Sequence, residues 1–183
     1  MPSVTKKIAG YFAGTWTIDP AHSTVAFTVR HLGVSKVHGR FDVFEGVIVT
    51  AEDILGSTVT VTIQASSVNT NNEQRDRHIR STDFLDVANL PTLSFTSTSI
   101  RTDNDEFLID GELTLHGVTK QVTLTTEIGG FGDGLTTGTK VIGVSATTEI
   151  SRTAFDVGPS IPSAVVSDKV RVELEVEAVL QLQ

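Results

Sequence analysis

The chain has 183 residues, 39% of them hydrophobic, with ordinary glycine and proline content, which supplies one substantial core and excludes wholesale disorder. Its 22 acidic and 14 basic residues give a formal net charge of -8, which excludes non-specific attachment to nucleic acid or an anionic membrane through bulk charge but not a local basic patch. The absence of cysteine excludes disulfides, thiolate catalysis and cysteine-ligated metals.

Residues 1–14 read as an N-terminal extension lying over the surface of a single domain at 15–183. "IAGYFAGTW" is too short and too broken by glycine for an export signal or a membrane span, so a cytoplasmic protein with no stable membrane insertion is expected. The first strand is expected in "TWTID" (15–19). In "TVAFTVRH" (24–31), Val25, Phe27, Val29 and His31 share one face, opposite Thr24, Ala26, Thr28 and Arg30. "FDVFEGVIV" (41–49) reads as one strand, and "STVTVTIQA" (57–65) alternates Val59, Val61, Ile63 and Ala65 against threonine and glutamine.

The next segment, "TNNEQRDRHIRS" (70–81), breaks the two-residue period and predicts a short helix. Thr70 followed by Glu73, or Asn71 followed by Gln74, has capping-box spacing, and Glu73–Arg77 and Asp76–Arg80 are i,i+4 pairs in the favourable orientation. Only Ile79, backed by Phe84 and Leu85, can anchor so polar a helix, so it must be held against the end of something larger. Two roles stand for it: a structural plug, or a place where His78 or an arginine meets a ligand headgroup. Catalysis would need a partner and a nucleophile for His78, and no pattern supplies them.

Strands follow in "TLSFTSTSI" (92–100), "EFLIDGELTL" (106–115), "TKQVTLTTEI" (119–128), "KVIGVSATTEI" (140–150) and "VRVELEVEAVL" (170–180). They are joined by turn signals at "RTDNDE", at His116-Gly117 and at "GGFGDGLTTG" (129–138), the last long enough for a mobile loop over a pocket. Eight or nine such strands without intervening helices form an antiparallel meander that closes into a barrel or pairs with a second sheet. Periodicity cannot say whether a barrel of this size is filled or hollow. None of the five histidines has the spacing of a metal pair, and no metal is expected. An Asp19–His22–Ser23 triad fails because neighbours on an extended chain point in different directions. The nine phenylalanines are spread singly over the strands, unlike a nucleic-acid stacking platform.

Several spaced motifs carry a stronger signal: Asp19-Pro20-x-His22-Ser23, Arg75-Asp76-x-His78, Asp83-Phe84, "LTLHGVTK" (113–120) and Arg152-x-x-Phe155. With their surroundings they resemble the YceI-like family of polyisoprenoid-binding, lipocalin-like proteins over nearly the whole chain from Trp16. The resemblance implies an all-β, eight-stranded antiparallel lipocalin-like barrel with a short helix near the barrel end. It implies a binding protein without a cofactor, taking a long-chain isoprenoid, isoprenoid quinone or fatty-acid-like ligand for storage or transport, and a homodimer. Lining candidates are Phe27, Val29, Phe41, Val43, Val61, Ile63, Phe95, Leu113, Leu115, Val144 and Val172, with Arg75, His78 and His116 for the polar end of the ligand. The competing readings are a small enzyme using His78 or His31 as base, and a scaffold with a packed core.

Overall fold

The alternating segments pair into one antiparallel sheet in the computed structural model, which describes residues 3–182. Its strands are β1 (Gly14–Ile18), β2 (Thr24–His31), β3 (Ser35–Phe41), β4 (Phe44–Thr50), β5 (Thr58–Gln64), β6 (Val68–Asn69), β7 (Thr92–Asp103), β8 (Glu106–Leu115), β9 (Val118–Asp133), β10 (Lys140–Ser151) and β11 (Lys169–Leu180), with one α-helix, α1 (Glu73–Arg80). β11 pairs with β10 along one edge and with both β1 and β2 along the other, which closes the sheet. β1 and β2 are halves of one bent stave, β3 and β4 of another, and β6 adds two residues beside β3. The result is the closed, eight-stranded, all-β barrel with a single short helix that the resemblance implies.

Both bends have local causes. Pro20 has no N–H to give a ladder, and the Asp19 carboxylate accepts from the Ala21 N–H to cap a 3-10 turn at Pro20–His22. Ser23 then accepts from the Glu177 N–H and donates to the Glu177 carbonyl, so β11 keeps its partners across the break. The segment expected as one strand at 41–49 is divided at Asp42–Val43, where Asp42 N–H bonds Ser67 and the Val43 carbonyl accepts from Gln64 N–H. The stretch at 129–138 is half strand and half loop: β9 runs through Asp133, and the turn that follows is closed by Gly134 N–H on the Thr139 carbonyl.

The helix is capped by neither Thr70 nor Asn71 but by Asn72. Asn72 accepts from Arg75 N–H, while Thr70 gives both its N–H and its hydroxyl to the buried Asp76 carboxylate. Asp76 therefore does not pair with Arg80, which reaches Glu73 at 3.5 Å and the Ser66 carbonyl at 3.0 Å. Glu73 also meets Arg77, at 3.8 Å on the exposed face. Residues 3–12 pack on the barrel end: Thr5 is buried and bonds Asp53 and Ile54, and the Tyr11 hydroxyl donates to the Ala51 carbonyl. No helix among the described residues is long and apolar enough to cross a membrane.

Asn72→Ala should lower the unfolding free energy by about 1 kcal/mol through loss of the cap. Thr70→Val, which strips a hydrogen bond from a buried carboxylate, should cost more, about 1–3 kcal/mol. Denaturant titration of the two variants checks the order.

Candidate functional site

Inward-facing side chains of every stave enclose a cavity of about 530 Å³. One end is stoppered by Trp16, fully buried, whose indole N–H donates to Thr50 Oγ1 at 2.8 Å and whose ring meets Phe131 edge-on at 5.6 Å. Ile18, Phe44, Ile48, Ile142 and Ala178 complete this plug. Towards the other end the lining side chains include the exposed His31, Arg75, His78 and Val165, which mark the mouth. The mouth is built from α1, the tip of the β2–β3 hairpin and the segment 152–168 that joins β10 to β11.

Why the centre stays empty is visible at two glycines. Gly39 lies opposite Phe27 in the β2–β3 ladder, and a Cβ there would collide with the Phe27 ring. A Cβ at Gly111 would strike the ring of Phe95. Both rings therefore lie flat along the wall, where a side chain is missing, instead of projecting across the axis. Gly39→Val should force the Phe27 ring towards the axis and cost about 1–3 kcal/mol by overpacking. Denaturant titration and a crystal structure of the variant would read both effects.

Of the lining candidates, Phe27, Val29, Phe41, Val61, Ile63, Phe95, Leu113, Leu115, Val144 and Val172 face the cavity. Val43 does not: it sits at the bend between β3 and β4, 55% exposed, because the break shifts the side-chain alternation that a continuous strand would impose. Arg75 and His78 lie at the mouth. Arg75 donates from Nε to Thr70 Oγ1 at 2.8 Å and from Nη2 to the Thr70 carbonyl at 2.7 Å. The His78 Nε2 faces Asp83 Oδ2 at 2.9 Å, and its ring packs edge-on against Phe84 at 5.0 Å. His116 is outside the cavity, in the two-residue turn between β8 and β9 at φ +53°, with a buried Nδ1 that has no partner among the described residues.

Sequence reasoning did not assign segment 152–168 to the site, although Arg152, Val157, Ile161, Val165 and Val166 all line it. Two signals were present: the Arg152-x-x-Phe155 motif and an uncharged run from Val157 to Ser167. Arg152 is only 4% exposed, and its five N–H groups reach the carbonyls of Val157, Gly158, Ile161, Val166 and Ser167. The segment is thus wrapped around one guanidinium, whose planar fork satisfies carbonyls that a loop would otherwise leave to water. Asp168 accepts from Ser151 and from both the N–H and the hydroxyl of Thr153. Those hydroxyls hold its carboxyl down at about 2, with the Arg152 charge a smaller aid. Because the folded value lies below the ordinary 3.8, this contribution to stability is present above about pH 4 and is lost as pH falls towards 2. Denaturant midpoints should drop across that window in the wild type and drop less in Asp168→Asn.

Among the described residues, one group has metal-ligand chemistry: Asp19, His22 and Glu177, with ligand atoms within 4.8 Å of one another. Hydrogen bonding between Asp19 and His22, 2.7 Å apart, lowers the aspartate pKa and raises the histidine's. The aspartate also caps the Pro20–His22 turn, and none of the three lines the cavity.

A closed antiparallel barrel, hollow, apolar and open at one polar-edged end, defines a calyx. The YceI-like domain model matches residues 16–178, and the chain belongs to that family. It is 41% identical to Protein YceI of Escherichia coli O157:H7 over 161 residues, covering 87% of this chain and 83% of the relative. The crystal structure of the Campylobacter jejuni YCEI protein superposes with a TM-score of 0.76 at 34% identity, covering 84% of this chain and 90% of that one. A polyisoprenoid binding domain from Saccharophagus degradans, implicated in plant cell wall breakdown, shares the fold at a TM-score of 0.68 and 19% identity, covering 93% of this chain and all of that one.

Proposed function

We propose that the chain binds a single long apolar molecule, an isoprenoid chain, an isoprenoid quinone or a fatty-acid-like ligand, inside the barrel and holds or carries it without chemical change. The observation that carries this reading is the 530 Å³ cavity with its aliphatic and aromatic walls. That volume falls within the range of roughly 300–1,000 Å³ usual for small-molecule sites. Each methylene moved from water into such a wall gains about 0.8 kcal/mol, so one isoprene unit gains on the order of 4 kcal/mol before the cost of association. Selection would act through chain length and girth. The polyisoprenoid binding domain from Saccharophagus degradans, with the same fold, lends support.

Binding is favoured over catalysis by what the walls lack. Among the described residues, the ionisable side chains on the lining are His31, Arg75, His78 and Arg152, and its hydroxyls are those of Thr70, which is bonded to Asp76 and Arg75, and Thr148. Arg152 spends its donors on the backbone, and His78 faces Asp83 at the exposed edge, so no base and nucleophile converge within the barrel. Arg75 and His78 instead stand where the polar end of a threaded chain would emerge.

The test is displacement of the fluorescent apolar probe N-phenyl-1-naphthylamine by alcohols and acids of increasing chain length. Binding should strengthen up to about fourfold per added methylene until the cavity is full. Val144→Phe, which adds bulk inside, should shorten the longest chain accepted. Failure of every chain to displace the probe, with no lipid recovered by native mass spectrometry, would overturn the reading.

A further inference from the structure

The tip of the β2–β3 hairpin breaks the rules that the rest of the surface follows. Leu32 is 56% exposed and Val34 81% exposed, and Leu32 sits at φ +55°, a left-handed conformation that is disfavoured for a leucine. Beside them the 152–168 segment presents Val165, 37% exposed, with the Leu32 N–H bonded to its carbonyl at 2.9 Å. His31 bridges to Val166, so hairpin and segment form one rim. That rim is continuous with the cavity, since Val29, His31, Val37, Val165 and Val166 all line it.

Its charge is equally unusual. Residues 24–41 contain no aspartate or glutamate, and Val157–Ser167 contains no charged side chain, in a chain of net charge -8. Arg30 and Lys36 are exposed and directly opposite each other in the ladder, a like-charge pairing that destabilises a hairpin. Neither has a carboxylate within ion-pair distance among the described residues, whereas Lys169 and Arg171 on neighbouring β11 are paired with Glu149 and Glu173. Asp156 and Asp168 flank the uncharged run, and Asp168 is held by Ser151 and Thr153 rather than by either cation.

We propose that this rim is a docking face for the surface of a bilayer carrying anionic lipids. Leu32, Val34 and Val165 enter the headgroup region while Arg30 and Lys36 meet the lipid phosphates and carboxylates. The proposal rests on the apolar-cargo reading: with the mouth pressed to the bilayer, a chain passes between membrane and barrel without crossing water. A lipid surface fits better than a protein partner, because the exposed apolar groups are aliphatic, lack aromatic anchors and open directly onto the cargo space.

The experiment is co-sedimentation of the full chain with phosphatidylcholine vesicles, with and without phosphatidylglycerol, at rising salt. Binding is expected with phosphatidylglycerol and should weaken with salt. Arg30→Gln/Lys36→Gln should reduce it about tenfold or more. Leu32→Ser/Val34→Ser should reduce it with little change in the melting temperature. Val34→Trp should be quenched by brominated lipid, against a native Trp16 that is buried at the far end. Vesicle binding indifferent to anionic lipid and to both double variants overturns the proposal. So does a concentration-dependent dimer that the Leu32/Val34 variant abolishes without any vesicle binding, which assigns the patch to a second copy. Wild-type protein that binds vesicles in the expected manner but takes up no N-phenyl-1-naphthylamine keeps the docking face and removes the cargo reading.

Discussion

One strand decides whether this molecule has an interior. β11 donates one edge to β10 and shares the other between β1 and β2, and that double registration turns a meander into a closed wall. Closure removes the free sheet edges that would otherwise pair with other chains, and it obliges every second side chain to face an enclosed volume. The bend at Asp19–Ser23 is the condition for this arrangement. Without the capped turn and the Ser23 bonds to Glu177, one straight stave could not follow β11 through its whole length. The spaced Asp-Pro-x-His-Ser residues, which look like a fragment of a catalytic site in sequence, are thus joinery.

The mouth is made differently from the walls. Two buried charged side chains, Asp76 and Arg152, each gather a stretch of irregular chain by taking its polar groups as partners. Asp76 ties α1 to Thr70, and Thr70 in turn holds Arg75 at the edge of the cavity. Arg152 does the same for the segment before β11 with five carbonyl contacts. Such satisfied polar cores give rigidity where apolar packing is thin. They also leave the neighbouring aliphatic side chains free to line the opening.

Hollowness and an apolar rim are two expressions of the same bias. A chain that binds through its walls gains free energy from area, and it needs a route by which that area fills without exposing the cargo to water. The plug at Trp16 leaves the opposite end as the route, and that end carries the exposed leucine and valines together with Arg30 and Lys36, which face each other across the ladder. Cavity and rim therefore make sense together, as a container and its contact surface.

Most of the architecture was legible in the residues themselves. The two-residue alternation located the main staves and their inward faces, because a pleated strand must send neighbours to opposite sides. The polar run at 70–81 announced the helix through its change of period. What failed were features that depend on partners distant in the chain. Val43 faces solvent because Gln64 and Ser67 hold its neighbourhood in a bend, and the true cap is Asn72 because buried Asp76 claims Thr70. Segment 152–168 joined the site through carbonyls gathered by Arg152, and its motif and uncharged run mark the segment without saying which distant wall it meets. Alternation, being local, determined which side chains point inward. Whether they meet or stand apart was decided only by tertiary structure, because the space between opposite walls depends on closure and on where Gly39 and Gly111 let a ring lie flat.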